Sequence, residues 1–392
     1  MPHSNEHSVL GSGLIPLDDL HLIALLAMLL HAAFAGVRVC LSLFALSLHA
    51  TPFTVGAILS LLALLPTLFS VHAGRGIDRI GVHPPLLIGT LSVIAGSVLG
   101  FAMPRLATLF LVSAFVGSGF MLAHIAVNHI AGQLGKAGDR ARNFNLLALA
   151  FSTSGFLGPM TAGFAIDRIG HRSTFLLLGG FALLALAGLL VRPIDVGKDE
   201  GSKAGKAARR LRDLLGDRTL RYVLMATGVL SPAWDLFVFV VPIHGSQIGL
   251  SATQIGMILG TFGAAIFCVR LLLPLLMGRV SEWQMLTVAM LSAGATYLVF
   301  PLVHGMPLLL TFAFILGIGL GGSQPMIMSL LYSQAPPGRG AEAVGVRSLI
   351  LNVSQTGMPL MFGGLGGAVG MTPVFWAMAV CLLTSGYVAR KR

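Results

Sequence analysis

The sequence predicts an all-α membrane protein with twelve transmembrane helices, arranged as two six-helix repeats of the same orientation. Composition is the first reason, because 55% of the residues are hydrophobic and only 10% are charged, whereas soluble domains carry about 25% charged residues. The second reason is the division of the chain into long apolar runs. The third is a repeat of residue patterns at an offset of 200 positions.

Long apolar runs divide the chain into twelve candidate membrane spans. A helix that crosses a bilayer needs about 20 mostly apolar residues, because lipid offers no partners for unpaired backbone groups. We number the spans 1 to 12 and expect them at residues 20–48, 53–73, 84–103, 106–133, 141–166, 172–192, 219–244, 251–277, 283–303, 307–334, 341–368 and 371–388. The three cysteines, Cys40, Cys268 and Cys381, all fall within spans, so they predict neither a disulfide framework nor a metal site.

Basic residues are distributed asymmetrically along this topology. With the N-terminus in the cytoplasm, Arg105, Arg168 and Arg172 lie outside and Arg38 and Arg270 lie within spans, which leaves 20 of the 25 Lys and Arg residues on the cytoplasmic side. Because this asymmetry follows the positive-inside rule, the net charge of +11 indicates membrane orientation and not nucleic-acid binding. We therefore expect a multi-pass plasma-membrane protein, in a bacterium the inner membrane, with both termini cytoplasmic.

A basic segment interrupts the apolar pattern near the middle of the chain. Nine basic residues fall between Arg192 and Arg221, both included. We expect residues 1–192 to form an N-terminal six-helix half, residues 193–218 a basic cytoplasmic linker, and residues 219–392 a C-terminal six-helix half. The linker is compatible either with a short amphipathic helix on anionic lipid or with a solvated orientation signal.

The two halves repeat each other at the offset of 200 residues. Three matches at this offset carry the inference: Thr51–Leu59 with Ser251–Leu259, Gly117 and Gly119 with Gly317 and Gly319, and Pro159 and Gly163 with Pro359 and Gly363. A fourth and weaker match, Gly74-Arg75 with Gly278-Arg279, falls at an offset of 204. Because each repeat contains an even number of spans, both halves have the same orientation in the membrane.

A charged, glycine-rich turn between spans 2 and 3 carries the most specific motif. It reads Gly74-Arg75-Gly76-Ile77-Asp78-Arg79-Ile80-Gly81. This stretch resembles the loop signature of the major facilitator superfamily, with Val82 and His83 in place of the usual two basic residues. The resemblance implies a secondary transporter whose two halves surround a central cavity and open it alternately to the two sides of the membrane.

The resemblance also implies that this turn is a latch between conformations. Asp78 would dock near the N-terminal end of span 11, where a carboxylate suits the positive end of the helix dipole. Arg79 and Glu342 would belong to the same charge cluster, and Gly74 and Gly81 would permit sharp turns at helix ends. The alternative is a solvated turn.

Span 5 carries a small-residue motif, Gly155-x-x-Gly158-Pro159-x-x-Ala162-Gly163. It looks like the fifth-helix motif of the superfamily's antiporters, although ordinary close packing of helices in lipid explains it equally well. Span 4 departs from the antiporter pattern, because Ser113 occupies the place of an arginine.

A second stretch similar to the loop signature, Asp167-Arg168-Ile169-Gly170-His171-Arg172, follows span 5. Its position outside the membrane argues against an equivalent role. We therefore expect an external turn with local ion pairs of little energetic weight.

Three ionisable residues lie well inside spans: Arg38 in span 1, Asp235 in span 7 and Arg270 in span 8. A charge at a helix centre costs about 2.5–3.5 kcal/mol on insertion scales, so such residues normally face a cavity or a partner. Arg38 could bind a substrate carboxylate or phosphate, and Asp235 could exchange a proton. The alternative for Arg38 and Asp235 is a permanent ion pair between them. Arg270 could be a second contact for the anion, or its side chain could extend to the membrane interface.

Weaker candidates for substrate binding are His31, His124, Asn128 and Trp234. A histidine titrates near neutral pH and could carry protons, and His124 and Asn128 share a helix face at i and i+4. Trp234 could line an apolar pocket. The alternative is that these side chains are hydrogen-bonded or packed in the interior without contacting substrate.

The sequence favours a transporter over an enzyme. It contains no paired catalytic carboxylates, metal-ligand cluster or nucleotide loop, so we expect no catalytic residue, metal or cofactor. The leading hypothesis is a proton-coupled transporter of a small organic anion such as a carboxylate. The second is a proton-driven exporter of amphiphilic drugs or lipids, and a membrane sensor ranks below both. The expected partners are a small-molecule substrate, protons and the lipid bilayer, and we expect a monomer.

Overall fold

The computed structural model describes residues 17–134, 140–192, 218–276, 280–334 and 340–391, and long α-helices make up most of this part of the chain. The helices are Leu17–Ser47, Pro52–Ile80, His83–Ala102, Leu106–Gln133, Arg140–Val191, Arg218–Gln247, Ala252–Leu276, Glu282–Val299, Met306–Gln334, Gly340–Val369 and Met371–Ala389, with a 3-10 helix at Phe300–Leu302. The predicted all-α fold is confirmed.

Ten of these helices are long and apolar enough to cross a membrane, counting only the described residues. The helix Arg140–Val191 has 52 residues and is broken at Gly170, whose φ of 77° and ψ of 166° are not helical, so it comprises spans 5 and 6. Gly340–Val369 is not among the ten, and it carries polar residues such as Arg347. Its 30 residues nevertheless reach about 45 Å at 1.5 Å per residue, enough for span 11.

The offset-200 repeat is present in the backbone geometry. In the turns that follow spans 1 and 7, His49 has a φ of 60° and Gly249 a φ of 79°. In the turns that follow spans 5 and 11, Gly170 has a φ of 77° and Gly370 a φ of 84°. Four of the five described residues with positive φ pair at this one offset, which indicates that the two halves use the same turns.

Helix packing within each half also repeats. Gly117 in span 4 lies against the carbonyl oxygen of Leu62 in span 2, and Gly317 in span 10 lies against that of Phe262 in span 8. In both places an added Cβ would lie under 3.0 Å from that oxygen. Small residues allow helix backbones to approach closely in lipid, so the sequence repeat extends to the contacts between helices.

The two halves meet along two seams. Spans 5 and 8 form the 5–8 seam, and spans 2 and 11 form the 2–11 seam. Gly163 lies against Ala252 in the first seam, and Gly363 lies against Pro52 in the second. These contacts lie at the end of the bundle that carries residues 48–51 and 248–251. We call it the outer end, following the predicted orientation, and the opposite end the inner end. The halves are thus closed against each other at the outer end.

The helix of span 2 is longer than the sequence predicts, because it runs from Pro52 to Ile80. Gly74 therefore lies inside a helix, and the expectation of a sharp turn there is wrong. Gly81, with a φ of 86°, ends the helix. Hydropathy falls at the charged residues near position 75, but a helix continues for as long as its backbone hydrogen bonds are made.

Parts of the predicted latch and linker lie outside the described residues. The side chains of Asp78 and Glu342 are not described, nor are residues 193–217 of the linker. Arg79 is exposed near the end of the span 2 helix. The latch therefore stays a prediction.

Candidate substrate cavity

A cavity of about 250 Å³ lies between the two halves, and we call it the central cavity. Spans 1 and 5 supply one wall, and spans 7 and 8 supply the other. Its lining consists of His31, Phe34, Ala35, Arg38, Val39, Phe151, Ser152, Gly155, Pro159, Trp234, Val238, Leu259, Phe262, Gly263, Ile266 and Arg270. The wall formed by the described residues is thus mostly apolar, contains two guanidinium groups, and includes no acidic residue.

Helical periodicity explains which residues reach this cavity. His31, Ala35 and Arg38 recur at i, i+4 and i+7 along span 1, so they share one face of the helix. Across the cavity, an added Cβ on Gly263 in span 8 would lie 2.6 Å from the carbonyl oxygen of Gly155 in span 5. The two glycines therefore bring spans 5 and 8 together at the cavity wall.

Arg38 and Asp235 lie on the first spans of the two halves, and their charges interact through space. No ion pair within 4.0 Å joins these two described residues. Instead, the Ser354 hydroxyl donates a 2.6 Å hydrogen bond to Oδ2 of Asp235. Asp235 is 3% exposed, whereas Arg38 lines the cavity. The structure therefore does not contain the direct ion pair that was one alternative for these residues.

Arg270 reaches across the 5–8 seam. Its Nη1 donates hydrogen bonds to the carbonyl oxygen of Ala148, at 3.1 Å, and to Oγ of Ser152, at 2.7 Å. Both partners belong to span 5. A guanidinium group has five N–H donors in a planar fork, so contacts through one nitrogen leave donor capacity for a ligand in the cavity.

His31 is held by a serine that has a counterpart in the other half. Its Nδ1 lies 2.6 Å from Oγ of Ser154, and its ring packs against Phe34 and Phe151. Ser154 corresponds to Ser354 at the offset of 200. Each half therefore places a titratable side chain of its first span against the same serine of its fifth span.

The other three weaker candidates are divided between the cavity and its surroundings. Trp234 lines the cavity and packs edge-on against Phe262, with ring centroids 5.1 Å apart. His124 packs against Phe151 at 5.0 Å and is not among the residues that line the central cavity. Nδ2 of Asn128 donates to the His124 carbonyl oxygen at 2.8 Å. Trp234 is thus the better placed of these residues to contact a substrate.

The span 5 motif packs in two directions. Gly158 lies against span 1 of its own half, where an added Cβ would lie 2.6 Å from the carbonyl oxygen of Ala32. Gly163 lies against Ala252 of the opposite half, and Pro159 lines the cavity. The motif thus contributes both to packing within one half and to the 5–8 seam.

The second copy of the loop signature makes a contact that the sequence does not predict. Oδ1 of Asp167 accepts a 3.2 Å hydrogen bond from the backbone N–H of Ala252, and Oδ2 accepts a 2.7 Å bond from that of Thr253. These residues begin span 8, so Asp167 caps a helix of the opposite half. The expected local ion pairs are replaced by a bond between halves.

Arg347 is a further functional candidate, which the sequence predicts only to be one of the 20 basic residues of the cytoplasmic side. It lies within the span 11 helix, and its Nη2 donates to Oε1 of Gln324 in span 10. It lines a second cavity that shares Arg270 with the central cavity. Its position seven residues inside the helix is the signal that could have identified it.

A family model described as Major Facilitator Superfamily matches residues 23–356. The chain belongs to the Major Facilitator Superfamily. Membership in this superfamily makes the protein a multi-pass membrane transporter and not an enzyme.

Proteins similar to this chain include transporters of drugs, peptides and nucleosides. The chain is 25% identical over 298 residues to "Multidrug efflux pump Tap" of Mycobacterium tuberculosis and of Mycobacterium bovis, covering 71% of this chain and 68% of the relative. Among solved structures, a mutant of the nucleoside transporter NupG has a TM-score of 0.80 at 11% identity, covering 95% of this chain and 99% of that one. A POT family transporter in complex with a thioalcohol-conjugated peptide has a TM-score of 0.76 at 16% identity, covering 95% of each. At these identities the two structures show the fold alone.

Proposed function

We propose that this transporter moves a small organic anion, such as a carboxylate with an apolar body, and that protons drive the movement. The observation that carries this proposal is the placement of Arg38 and Arg270 in the lining of one cavity, among whose described lining residues none is acidic. The cavity lies between the halves, which is where alternating access requires a substrate.

Arginine suits an anion of this kind. Guanidinium groups bind carboxylates through charge-assisted and often bidentate hydrogen bonds. Arg38 belongs to the N-terminal half and Arg270 to the C-terminal half, so an anion held by both would contact both halves. A ligand shifts a conformational equilibrium only if it binds the two states differently, and a two-half site supplies such a difference.

The rest of the wall supports a small apolar body. Phe34, Phe151, Trp234 and Phe262 line the same cavity as the two arginines. Pockets for drug-sized ligands commonly measure about 300–1,000 Å³, and the central cavity of about 250 Å³ is smaller. These dimensions favour a substrate of one ring or a short chain.

Asp235 is our candidate for the proton-binding group. The described groups that act on it are Arg38 in span 1, Tyr297 in span 9 and Ser354 in span 11. A proton on Asp235 would remove the negative charge that competes with substrate for Arg38. Proton binding and anion binding would therefore favour each other, as symport requires.

A second candidate function is proton-driven export of amphiphilic drugs. It is supported by the 25% identity to a multidrug efflux pump and by the apolar wall. Against it, two guanidinium groups with no carboxylate among the described lining residues would repel a cationic drug.

The topology proposed for this function follows from the distribution of basic residues. We propose a monomer in a bacterial inner membrane with both termini cytoplasmic, in which the residue 193–218 linker joins the two halves. Asp78, Arg79, Gly81 and Glu342 would close the inner end when the outer end opens. The basis for the orientation is the excess of Lys and Arg on one side of the predicted topology.

Transport assays in proteoliposomes test the substrate class. The full chain is reconstituted, and radiolabelled N-acetylphenylalanine, an aromatic carboxylate, is compared with the cationic dye ethidium under an imposed pH gradient. We expect carboxylate uptake above that of protein-free vesicles, and at least a tenfold loss in Arg38→Gln and in Arg270→Gln. Arg105→Gln, at an exposed position of the outer end, is the matched control and should transport as the wild type does.

Two outcomes would overturn the proposal. Carboxylate uptake that stays at the wild-type rate in Arg38→Gln would exclude Arg38 from the anion site. Movement of ethidium without movement of the carboxylate would establish the exporter instead.

Asp235→Asn separates proton coupling from anion binding. Asparagine retains an oxygen that can accept the Ser354 hydrogen bond, but it cannot exchange a proton. We expect exchange of labelled for unlabelled carboxylate to persist while accumulation driven by the pH gradient disappears. Undiminished accumulation would remove Asp235 as the proton carrier.

A further inference from the structure

A second cavity, of about 380 Å³, adjoins the central cavity on its inner side. It lies between spans 5, 8, 10 and 11. The polar part of its described lining consists of Asn145, Arg270, Gln324 and Arg347, and none of the described lining residues is acidic. Two positive charges thus face this space, and no carboxylate among the described residues of its wall neutralises them.

Arg347 has donor capacity that no described protein group uses. Its Nη2 donates to Oε1 of Gln324. Its Nε is buried and has no hydrogen-bond partner among the described residues. A buried polar group without a partner costs free energy, and a buried charge costs more unless an opposite charge compensates it. An anion in the cavity would supply both the missing acceptor and the missing charge.

Arg270 connects the two cavities, because it lines both. Its hydrogen bonds to Ala148 and Ser152 hold the guanidinium group at the boundary between them. An anion held by Arg270 and Arg38 in the central cavity could therefore stay near Arg270 and replace its contact with Arg38 by a contact with Arg347. Such an exchange would avoid a position in which the anion has no cationic partner.

We infer that the cavity lined by Arg270, Gln324, Asn145 and Arg347 is a second anion-binding site, which the carboxylate of the substrate occupies between the central cavity and the inner end. The inference rests on the proposed function. Arg347 and Gln324 would bind the carboxylate after it leaves Arg38, and Asn145 would donate to it from the opposite half.

Equilibrium binding to the purified full chain in detergent tests this site. Binding of radiolabelled N-acetylphenylalanine is measured by scintillation proximity for the wild type and for variants that disable either site. In Arg38→Gln we expect the carboxylate still to bind, with an affinity at least tenfold weaker than that of the wild type. The double variant Arg38→Gln with Arg347→Gln should lose this remaining binding. Arg347→Gln alone should keep wild-type affinity within about twofold but lower the rate of carboxylate exchange in proteoliposomes at least tenfold.

Matched variants separate loss of the site from loss of the fold. Arg347→Lys keeps the charge and should restore at least part of the exchange rate, whereas a purely structural role would leave it as impaired as Arg347→Gln. Arg221→Gln removes an exposed arginine near the inner end and should behave as wild type.

The outcomes distinguish the two proposals. Wild-type binding that Arg38→Gln abolishes completely, with normal exchange in Arg347→Gln, would overturn the second site and leave the proposed function intact. Equal impairment of exchange in Arg347→Lys and Arg347→Gln would also overturn it. Absence of any carboxylate binding by the wild type would overturn both proposals.

Discussion

The 5–8 seam and the 2–11 seam occupy matching positions in the repeat and have the same backbone packing. Gly163 lies against Ala252 in the first, and Gly363 lies against Pro52 in the second. In both seams an added Cβ would lie under 3.0 Å from a carbonyl oxygen of the opposite half. The repeat therefore preserves the distance between backbones, which in lipid depends on small residues.

The polar contacts of the two seams differ. Asp167 accepts hydrogen bonds from the first residues of span 8, whereas its counterpart in the other half is Gly367. The receiving helix differs as well, because span 2 begins with Pro52, which has no N–H to donate. The 2–11 seam therefore cannot reproduce the two-bond cap of the 5–8 seam.

Deeper in the seams, too, a charged side chain makes hydrogen bonds across the 5–8 seam, and two hydroxyl groups approach across the 2–11 seam. Arg270 bonds across the 5–8 seam, while Thr67 and Thr356 approach across the 2–11 seam with hydroxyl oxygens 3.4 Å apart. The glycine contacts are alike in both seams, so both seams close the outer end. Among the contacts of the described residues, only the 5–8 seam adds hydrogen bonds of charged side chains, those of Asp167 and Arg270.

The largest expected effect comes from filling the shared glycine contacts. Gly163→Val and Gly363→Val each introduce a side chain where a backbone carbonyl lies, and overpacking costs about 1–3 kcal/mol or more. We expect each to shift the equilibrium away from the outer-closed state by up to about 150-fold. Distances between spin labels at Ser47→Cys and Ser246→Cys, in a background with the three native cysteines replaced by alanine, measure that shift.

Gly357→Val is the control for these two variants, because an added Cβ at Gly357 has no neighbour within 4 Å. It should leave the distance distribution unchanged. An opening caused by only one of the two seam variants would show that the seams are not equivalent in packing.

A smaller effect is expected from the cap. Asp167→Ala should weaken closure of the outer end by about 0.5–2 kcal/mol, the usual cost of losing an N-cap. The transplant Gly367→Asp should strengthen it by less than half as much, because Pro52 offers no N–H and Phe53 alone can donate. The same spin-label distances measure both variants, and raised salt should reduce the difference between Asp167→Ala and wild type.

Equal and opposite effects of these two substitutions would contradict the explanation from Pro52. An unchanged distance distribution in Asp167→Ala would show that the cap does not contribute to closure.

The smallest effect is expected from Thr356→Val in the 2–11 seam. Hydrogen bonds between membrane helices contribute about 0.6 kcal/mol on average, and a separation of 3.4 Å is long for a hydroxyl pair. We expect a shift in the distance distribution of no more than about threefold. A shift larger than that of Asp167→Ala would assign the 2–11 seam a polar role and remove the contrast between the seams.

Some of the cavity could be predicted from the sequence, and some could not. Arg38, Asp235 and Arg270 stand out because charges are rare in apolar spans. Arg347 lies near the predicted start of span 11, where a charge can equally reach the interface, so the rarity of charges in spans does not single it out. The contact of Asp167 joins residues 85 and 86 positions apart in different halves, and no local pattern predicts such a contact.

The amino-acid sequence is sufficient for the helical class, the division into spans and the offset-200 repeat. Lipid satisfies no backbone group, so apolar length alone implies a helix, and a repeated pattern implies a repeated fold. Which charges meet depends on how each helix is rotated and on how the halves dock. That arrangement brings Arg38 and Arg270 into one cavity, turns Asp235 to Ser354, and places Asp167 on span 8. Each of these placements depends on many contacts between residues that are far apart in the chain. Only the folded protein brings those residues together.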